Sequence, residues 1–141
     1  MYINIRYLKE KDLGVIRKLL SQLTPNVTNL QLEDLPAAKD CLTRVIVEEC
    51  NTDEPLAFCA LSIRLVPSKG RVGTIEDLIV DREYRGYGLG KELLKDILLL
   101  AKIENLRFVE LTSNPKRKVA RHLYQKFGFR VLETDIFRLQ L

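Results

Sequence analysis

The chain is poor in the side chains that build metal centres and redox pairs. It has one histidine, His122, and three cysteines, Cys41, Cys50 and Cys59, none in a CxxC pair. Structural zinc needs four nitrogen or sulfur ligands, so no metal is expected. An odd, unpaired cysteine set points to a reducing, intracellular setting. Cys50 and Cys59 lie in or beside strand-like runs and are expected to pack as small hydrophobes. No apolar run approaches the ~18 residues that a membrane-spanning helix needs. The opening MYINIRYLKEKDL has no basic tip followed by an apolar stretch, so no signal peptide is expected. These absences point to a cytoplasmic protein without a membrane partner.

Charge of one sign is also scarce. The 23 basic and 19 acidic residues leave a net +4. That excess permits an anionic ligand without demanding nucleic acid. The basic patch over 116–121 has poor aromatic interleaving, so no nucleic-acid partner is expected. What remains is an ordinary globular composition, 46% hydrophobic and 30% charged over 141 residues. This is the size of a single domain, 1–141.

Periodicity orders the chain. Residues 2–7 read as a strand and 10–22 as a helix with Leu13, Ile16, Leu19, Leu20 and Leu23 on one stripe. Thr24-Pro25-Asn26 breaks the pattern. Residues 28–43 read as a broken helix with Leu32, Leu35 and Leu42 inward and a kink at Pro36. Three strands follow at 44–49, 56–66 and 71–80, separated by turn residues, as an antiparallel meander. The segment 89–103 is a helix apolar around much of its circumference, hence buried against a sheet. Residues 107–112 form a strand. Ser113 or Asn114 caps a further helix with Pro115 at its first position. That helix turns Val119, Ala120, Leu123, Tyr124 and Phe127 inward, and Gly128 closes it. Residues 129–133 and 135–140 read as two last strands. The fold class is α/β: a mixed central sheet, antiparallel meander plus a parallel strand–helix–strand unit over 72–112, with helices on both faces.

The most informative stretch is EYRGYGLGKEL, 83–93, with glycines at alternate positions 86, 88 and 90. It joins a strand to a helix. Glycines there either open the backbone to a ligand or permit a tight turn with close packing. The first-turn N–H groups and the helix dipole favour an anion. Arg85 and Lys91 flank the place and can add charge-assisted bonds. A phosphate or pyrophosphate fits. The loop is not a Walker A sequence, because Gly90-Lys91 is followed by Glu92 and the glycine spacing is one short. It is not a dinucleotide loop either, since the spacing is GxGxG and it comes late, after a meander.

Read from Arg85, the loop Arg85-Gly-Tyr-Gly88-Leu-Gly90 resembles the [RQ]xxGxG[AG] signature of the GCN5-related N-acetyltransferases, with Lys91 in place of the last small residue. IEDLIVD, 75–81, resembles that family's central strand. NPKRKVARHLYQKFGF, 114–129, resembles its second conserved segment, including the spacing of Asn114 and Tyr124. The resemblance implies the family's acyl-CoA N-acyltransferase fold, with the two parallel strands splayed, and acetyl-CoA as cofactor. By position, its pyrophosphate would meet Arg85, Gly86, Tyr87, Gly88, Leu89, Gly90 and Lys91. Its pantetheine arm would bond to backbone near Leu78, Ile79 and Val80, between the splayed strands. The amide of Ile79 could serve the reacting carbonyl.

The resemblance also implies a reaction: direct acetyl transfer in a ternary complex to a primary amine of a small molecule. Tyr124 is the implied general acid for the leaving thiolate. Glu76 is the implied base acting through water, ahead of its neighbour Asp77. Asn114 reads both as a helix cap and as a contact to the cofactor arm. Arg117 and its basic neighbours read both as a solvated helix face and as a site for the cofactor's 3′-phosphate. His122 reads as surface or half-buried. The acceptor stays open among hexosamine phosphates, polyamines, amino acids and peptides. A non-catalytic acyl-CoA-binding module and a protein or peptide N-acetyltransferase are the alternatives. An exposed edge at the apolar strands over 129–140 could pair with another chain, and the resemblance, to a family often dimeric, implies a homodimer.

Overall fold

Alternating apolar residues over 41–80 build the frame of the molecule. In the computed structural model, which describes residues 1–25 and 31–141, three long strands run antiparallel in chain order. They are β2 (Cys41–Glu48), β3 (Pro55–Val66) and β4 (Gly70–Val80). β1 (Ile3–Arg6) joins β2 antiparallel, and β5 (Val109–Glu110) joins β4 in parallel. The result is a five-stranded mixed sheet in the order β1-β2-β3-β4-β5.

Two helices cover opposite faces of this sheet. A short 3-10 turn, Glu10–Asp12, leads into α1 (Leu13–Ser21). The helix packs Ile16, Leu19 and Leu20 on the row Val45, Phe58 and Ile79. The intervening side chains point to the other face. There Arg44 forms a two-pronged ion pair, at 2.6 and 3.2 Å, with Asp96 of α2 (Leu89–Ile103). Leu93, Leu94 and Ile97 of that helix are wholly buried. Asn105 ends it in the left-handed conformation, with Leu106 N–H reaching the Ala101 carbonyl at 3.1 Å. That is a Schellman stop with asparagine in the usual glycine position.

The chain divides into two compact units, Met1–Leu111 and Thr112–Leu141. The second contains α3 (Lys118–Lys126). Its end is another Schellman stop: Gly128 N–H donates to Gln125 O at 3.0 Å and Phe129 N–H to Tyr124 O at 3.1 Å. The Tyr124 and Phe129 rings meet edge to face, 6.0 Å between centroids, supplying the apolar contact that usually accompanies this stop.

Several expectations are corrected. The helix over 28–43 falls partly outside the described residues. Over 31–43 the structure has only a 3-10 turn, Leu35–Ala37, before β2 begins at Cys41. Pro36 has no N–H to continue a helix, although Leu32 and Leu35 do pack on the core. The strand over 107–112 shrinks to Val109–Glu110, because β4 bends away from it, as described below. The last helix starts at Lys118, not at Pro115, because residues 114–117 first close a turn. Val119 is 88% exposed, one step off the stripe of Ala120, Leu123, Tyr124 and Phe127. Residues 129–141 form no strand; alternation alone cannot make one without a partner to bond. Cys50 is exposed in a left-handed turn position, whereas Cys59 is buried.

Candidate functional site

The site begins with an irregularity in β4. Phe58 pairs with Ile79 and Ala60 with Glu76, so Asp77 and Leu78 both stand opposite Cys59. Asp77 has φ 53°, a left-handed conformation that aspartate tolerates better than most residues. A bulge of this kind bends its strand and increases the local twist. Accordingly β4 and β5 pair only at Gly73 and Thr74. Beyond them the stretch carrying Leu78, Ile79 and Val80 has no strand partner on that side among the described residues. An open sheet edge with unpaired backbone groups can accept an extended ligand as an added strand.

Beside this edge sit the two carboxylates. Burial, and after it the charge of Asp77, pushes the Glu76 carboxyl above its ordinary value; the Arg64 guanidinium pulls the other way. Loss of water also raises the Asp77 carboxyl, although its side chain reaches the surface. Each is thus a stronger base than a free carboxylate.

The glycine loop follows directly. Asp81 accepts the Glu83 N–H at 3.2 Å, and the Gln22 side chain accepts the Arg82 N–H at 3.0 Å, so α1 steadies the turn. Arg85 folds back and donates from Nε to the Val80 carbonyl at 3.1 Å. Gly86 and Gly88 have φ of 87° and 79°, and a Cβ on either would meet nothing within 4 Å. Close packing therefore does not require glycine at these places; the backbone conformation does. Gly88 is the N-cap of α2. Leu89, 4% exposed, plugs the helix into the core, while Arg85, Tyr87 and Lys91 stay exposed. The first-turn amides of Leu89, Gly90 and Lys91 have no carbonyl of their own helix to reach.

The remaining predicted residues belong to the second unit. Asn114 does not cap α3. Its side-chain oxygen accepts the Lys116 N–H at 2.9 Å and its carbonyl the Arg117 N–H at 2.9 Å, which makes the turn preceding the helix. Arg117 stands at the N-cap position and is exposed. Beside Asn114, the Ser113 hydroxyl is buried and has no hydrogen-bond partner among the described residues. Tyr124 is buried on the inner stripe of α3, and His122 is exposed.

Sequence reasoning did not single out Ser62, Arg64 and Thr74. They share the α1 face of the sheet with Glu76: Ser62 pairs with Cys41 and Thr74, while Ala60 pairs with Thr43 and Glu76. The available signal was polar residues at alternate positions, Ser62 and Arg64 in β3 and Thr74 and Glu76 in β4, where a buried face would carry apolar ones. Elsewhere, a cavity of about 280 Å³ lies between α1, the β2–β3 turn and the end of β4, bordered by Lys18, Gln22, Asp53, Glu54, Asp81 and Tyr84. None of the predicted site residues lines it.

Residues 14–129 match the acetyltransferase (GNAT) family. A glucosamine 6-phosphate N-acetyltransferase of Trypanosoma brucei brucei is 31% identical over 99% of the chain and 96% of its own length. A crystal structure of an acetyltransferase from Trypanosoma brucei superposes with TM-score 0.83 at 31% identity, covering 99% of this chain and 100% of that one. The glucosamine-6-phosphate N-acetyltransferase structure from Arabidopsis thaliana gives 0.79 at 25% identity, with 99% of each chain covered.

Proposed function

The chain belongs to the GNAT family of acetyl-CoA-dependent N-acetyltransferases, and from that premise we propose that it acetylates a primary amine of a small molecule. Transfer is direct, in a ternary complex, and a hexosamine phosphate is the first acceptor to test. The observation that carries the acceptor class is the near full-length likeness to a glucosamine 6-phosphate N-acetyltransferase.

The open edge at Leu78, Ile79 and Val80, the exposed left-handed glycines and the free amides of α2 suit an extended carrier ending in a diphosphate. Acetyl-CoA, when bound, supplies an activated acetyl thioester. Gly86, Gly88, Leu89, Gly90 and Lys91 bind its diphosphate through backbone N–H groups, with Arg85 and Tyr87 bordering them. The antiparallel register turns the Ile79 N–H toward Phe58 of β3, so that amide does not take the expected role toward the reacting carbonyl; the backbone groups of Val80 face the open edge instead. Glu76 takes the amine's proton through water, and Asp77 holds the Glu76 carboxyl up and helps orient the acceptor. On the family resemblance, Tyr124 protonates the leaving sulfur, Asn114 contacts the carrier arm and Arg117 meets a peripheral phosphate. Both units, 1–141, then work as one catalytic domain.

A homodimer is part of the proposal. Val131, Leu132, Ile136, Phe137, Leu139 and Leu141 are between 58% and 108% exposed, a stretch suited to pairing with a second copy. A cytoplasmic setting accords with the absence of any helix long and apolar enough to cross a membrane among the described residues.

The deciding experiment incubates the purified chain with acetyl-CoA and a panel of hexosamine phosphates, polyamines, amino acids and peptides, and follows thiol release. Release confined to small amines upholds the reading. Binding without release across the panel would replace it with a carrier-binding module, and release only with peptides would move the acceptor to a protein.

A further inference from the structure

Buried side-chain polar atoms in native proteins almost always have a hydrogen-bond partner. The buried polar residues of the sheet unit keep to that rule. Asp12 accepts from both terminal nitrogens of Arg6, at 2.7 and 3.0 Å, and from the Lys9 N–H at 2.8 Å. The buried Thr43 hydroxyl accepts the Leu8 N–H at 3.4 Å. The Ser113 hydroxyl is the exception: it is buried and has no partner among the described residues. Next to it, the Asn114 side-chain oxygen and carbonyl each accept an N–H of the turn that follows. Ser113 takes no part in that turn through its side chain.

A serine that shapes a turn gives its hydroxyl to a nearby backbone group, and Ser113 gives its own to none. A buried hydroxyl left unpaired costs stability that an alanine would not. Serine at this position therefore answers to something other than the folding of the chain. Its place in the chain indicates what. Glu110, three residues earlier, is the last residue of β5, and it pairs with Thr74 where the β4–β5 ladder ends. Three residues of chain reach at most ~11 Å. Ser113 is thus tethered near the point from which the open edge of β4 runs on toward Val80.

We infer that the Ser113 hydroxyl binds the amide arm of acetyl-CoA, donating to a carbonyl oxygen of the arm as the carrier lies along the open edge. This rests on the acetyl-transfer reading above and deepens it by adding a carrier contact outside the glycine loop. Ser113 binds the arm and does not protonate the sulfur. Its hydroxyl is unpaired in the free chain and satisfied with the carrier in place. Stability of the free chain and affinity for the carrier therefore pull in opposite directions at this one residue.

The test compares thermal unfolding and calorimetric titration of wild type, Ser113→Ala and Ser113→Cys. Without ligand, Ser113→Ala should melt about 2–5 °C higher, because it removes an unpaired buried polar group. Its affinity for acetyl-CoA should fall roughly 3- to 10-fold, the worth of one hydrogen bond. The kcat/KM for acetyl-CoA should fall with it, through KM. Adenosine 3′-phosphate 5′-diphosphate carries the phosphates without the amide arm, so its affinity should stay within about twofold. Ser113→Cys keeps the size of the side chain but is a weak donor, and it should lose acetyl-CoA affinity as the alanine variant does. A lower melting temperature for unliganded Ser113→Ala would mean that the hydroxyl holds the fold, and would overturn the inference. So would full acetyl-CoA affinity in either variant, or an equal loss on the nucleotide. If wild type does not bind acetyl-CoA, the acetyl-transfer reading fails and the inference falls with it. If wild type binds it and Ser113→Ala binds it equally, only the inference fails.

Discussion

The segment Gly70–Ile103 and the stretch 129–141 are both rich in large apolar residues, but they treat them in opposite ways. In the first, Val72, Ile75, Ile79, Leu89, Leu93, Leu94 and Ile97 are buried. In the second, Val131, Leu132, Ile136, Phe137, Leu139 and Leu141 are all exposed. A helix closes its hydrogen bonds within itself and needs only a surface to cover, and α2 finds one in the sheet it adjoins. A strand closes nothing until another strand lies beside it. Apolar content alone thus does not say what will be buried; the supply of partners does. Between these extremes lies α3, whose one buried ring is Tyr124.

The largest expected effects test whether both units serve one reaction. Tyr124→Phe should lower kcat by roughly 100-fold, the usual worth of a positioned general acid, with little change in acetyl-CoA affinity. A full rate in that variant would confine the chemistry to the first unit. Glu76→Gln should cost a similar factor near neutral pH and should also change the pH profile. The Glu76 carboxyl is raised by burial and by Asp77, and a base works only when ionised. Activity in wild type should therefore rise with pH through a limb lying above the ordinary carboxylate range. Asp77→Asn removes a repelling charge, so that limb should move to lower pH. A limb unmoved by either substitution would assign the acidic limb to another group.

The next pair sharpens the contrast directly. Leu94→Ala empties a site that is wholly buried and should cost about 3 kcal/mol in urea unfolding. Leu139→Ala removes a side chain that is 83% exposed and should cost less than about 0.5 kcal/mol in the monomer. If a dimer covers the tail, the second value will depend on protein concentration and light scattering will show a weakened dimer. A concentration-independent cost near that of Leu94→Ala would mean that the tail is buried within its own chain.

What could be read in the sequence follows the same division. The α2 boundaries, 89–103, and the glycine loop were legible because their signals are local: a 3.6-residue period, a left-handed glycine at the cap, Asn105 at the stop. The antiparallel meander was legible because its strands are neighbours joined by turn residues. The bulge at Asp77 was not, although it opens the candidate site, since one inserted residue leaves IEDLIV looking like any strand. Arg64 escaped for a related reason: its place near Glu76 is set by the register between β3 and β4. Asn114 was misread as a helix cap because Asn-Pro fits a cap and a preceding turn equally well.

The smallest effects compare two glycines in one unit. Gly88→Ala forces a side chain into φ 79°, which should cost ~1–2 kcal/mol and weaken acetyl-CoA binding by moving the loop amides. Gly14 sits inside α1, has no positive φ, and a Cβ there would meet nothing within 4 Å. Gly14→Ala should therefore stabilise the protein by about 0.5–1 kcal/mol, through better helix propensity and a less flexible unfolded chain. Acetyl-CoA affinity should not change, because the substitution touches neither the open β4 edge nor the glycine loop. The two substitutions make the same chemical change, so opposite signs in urea unfolding would isolate backbone conformation as the reason for glycine at 88. If Gly88→Ala were instead as benign as Gly14→Ala in both unfolding and acetyl-CoA titration, the left-handed cap would have no part in gripping the diphosphate.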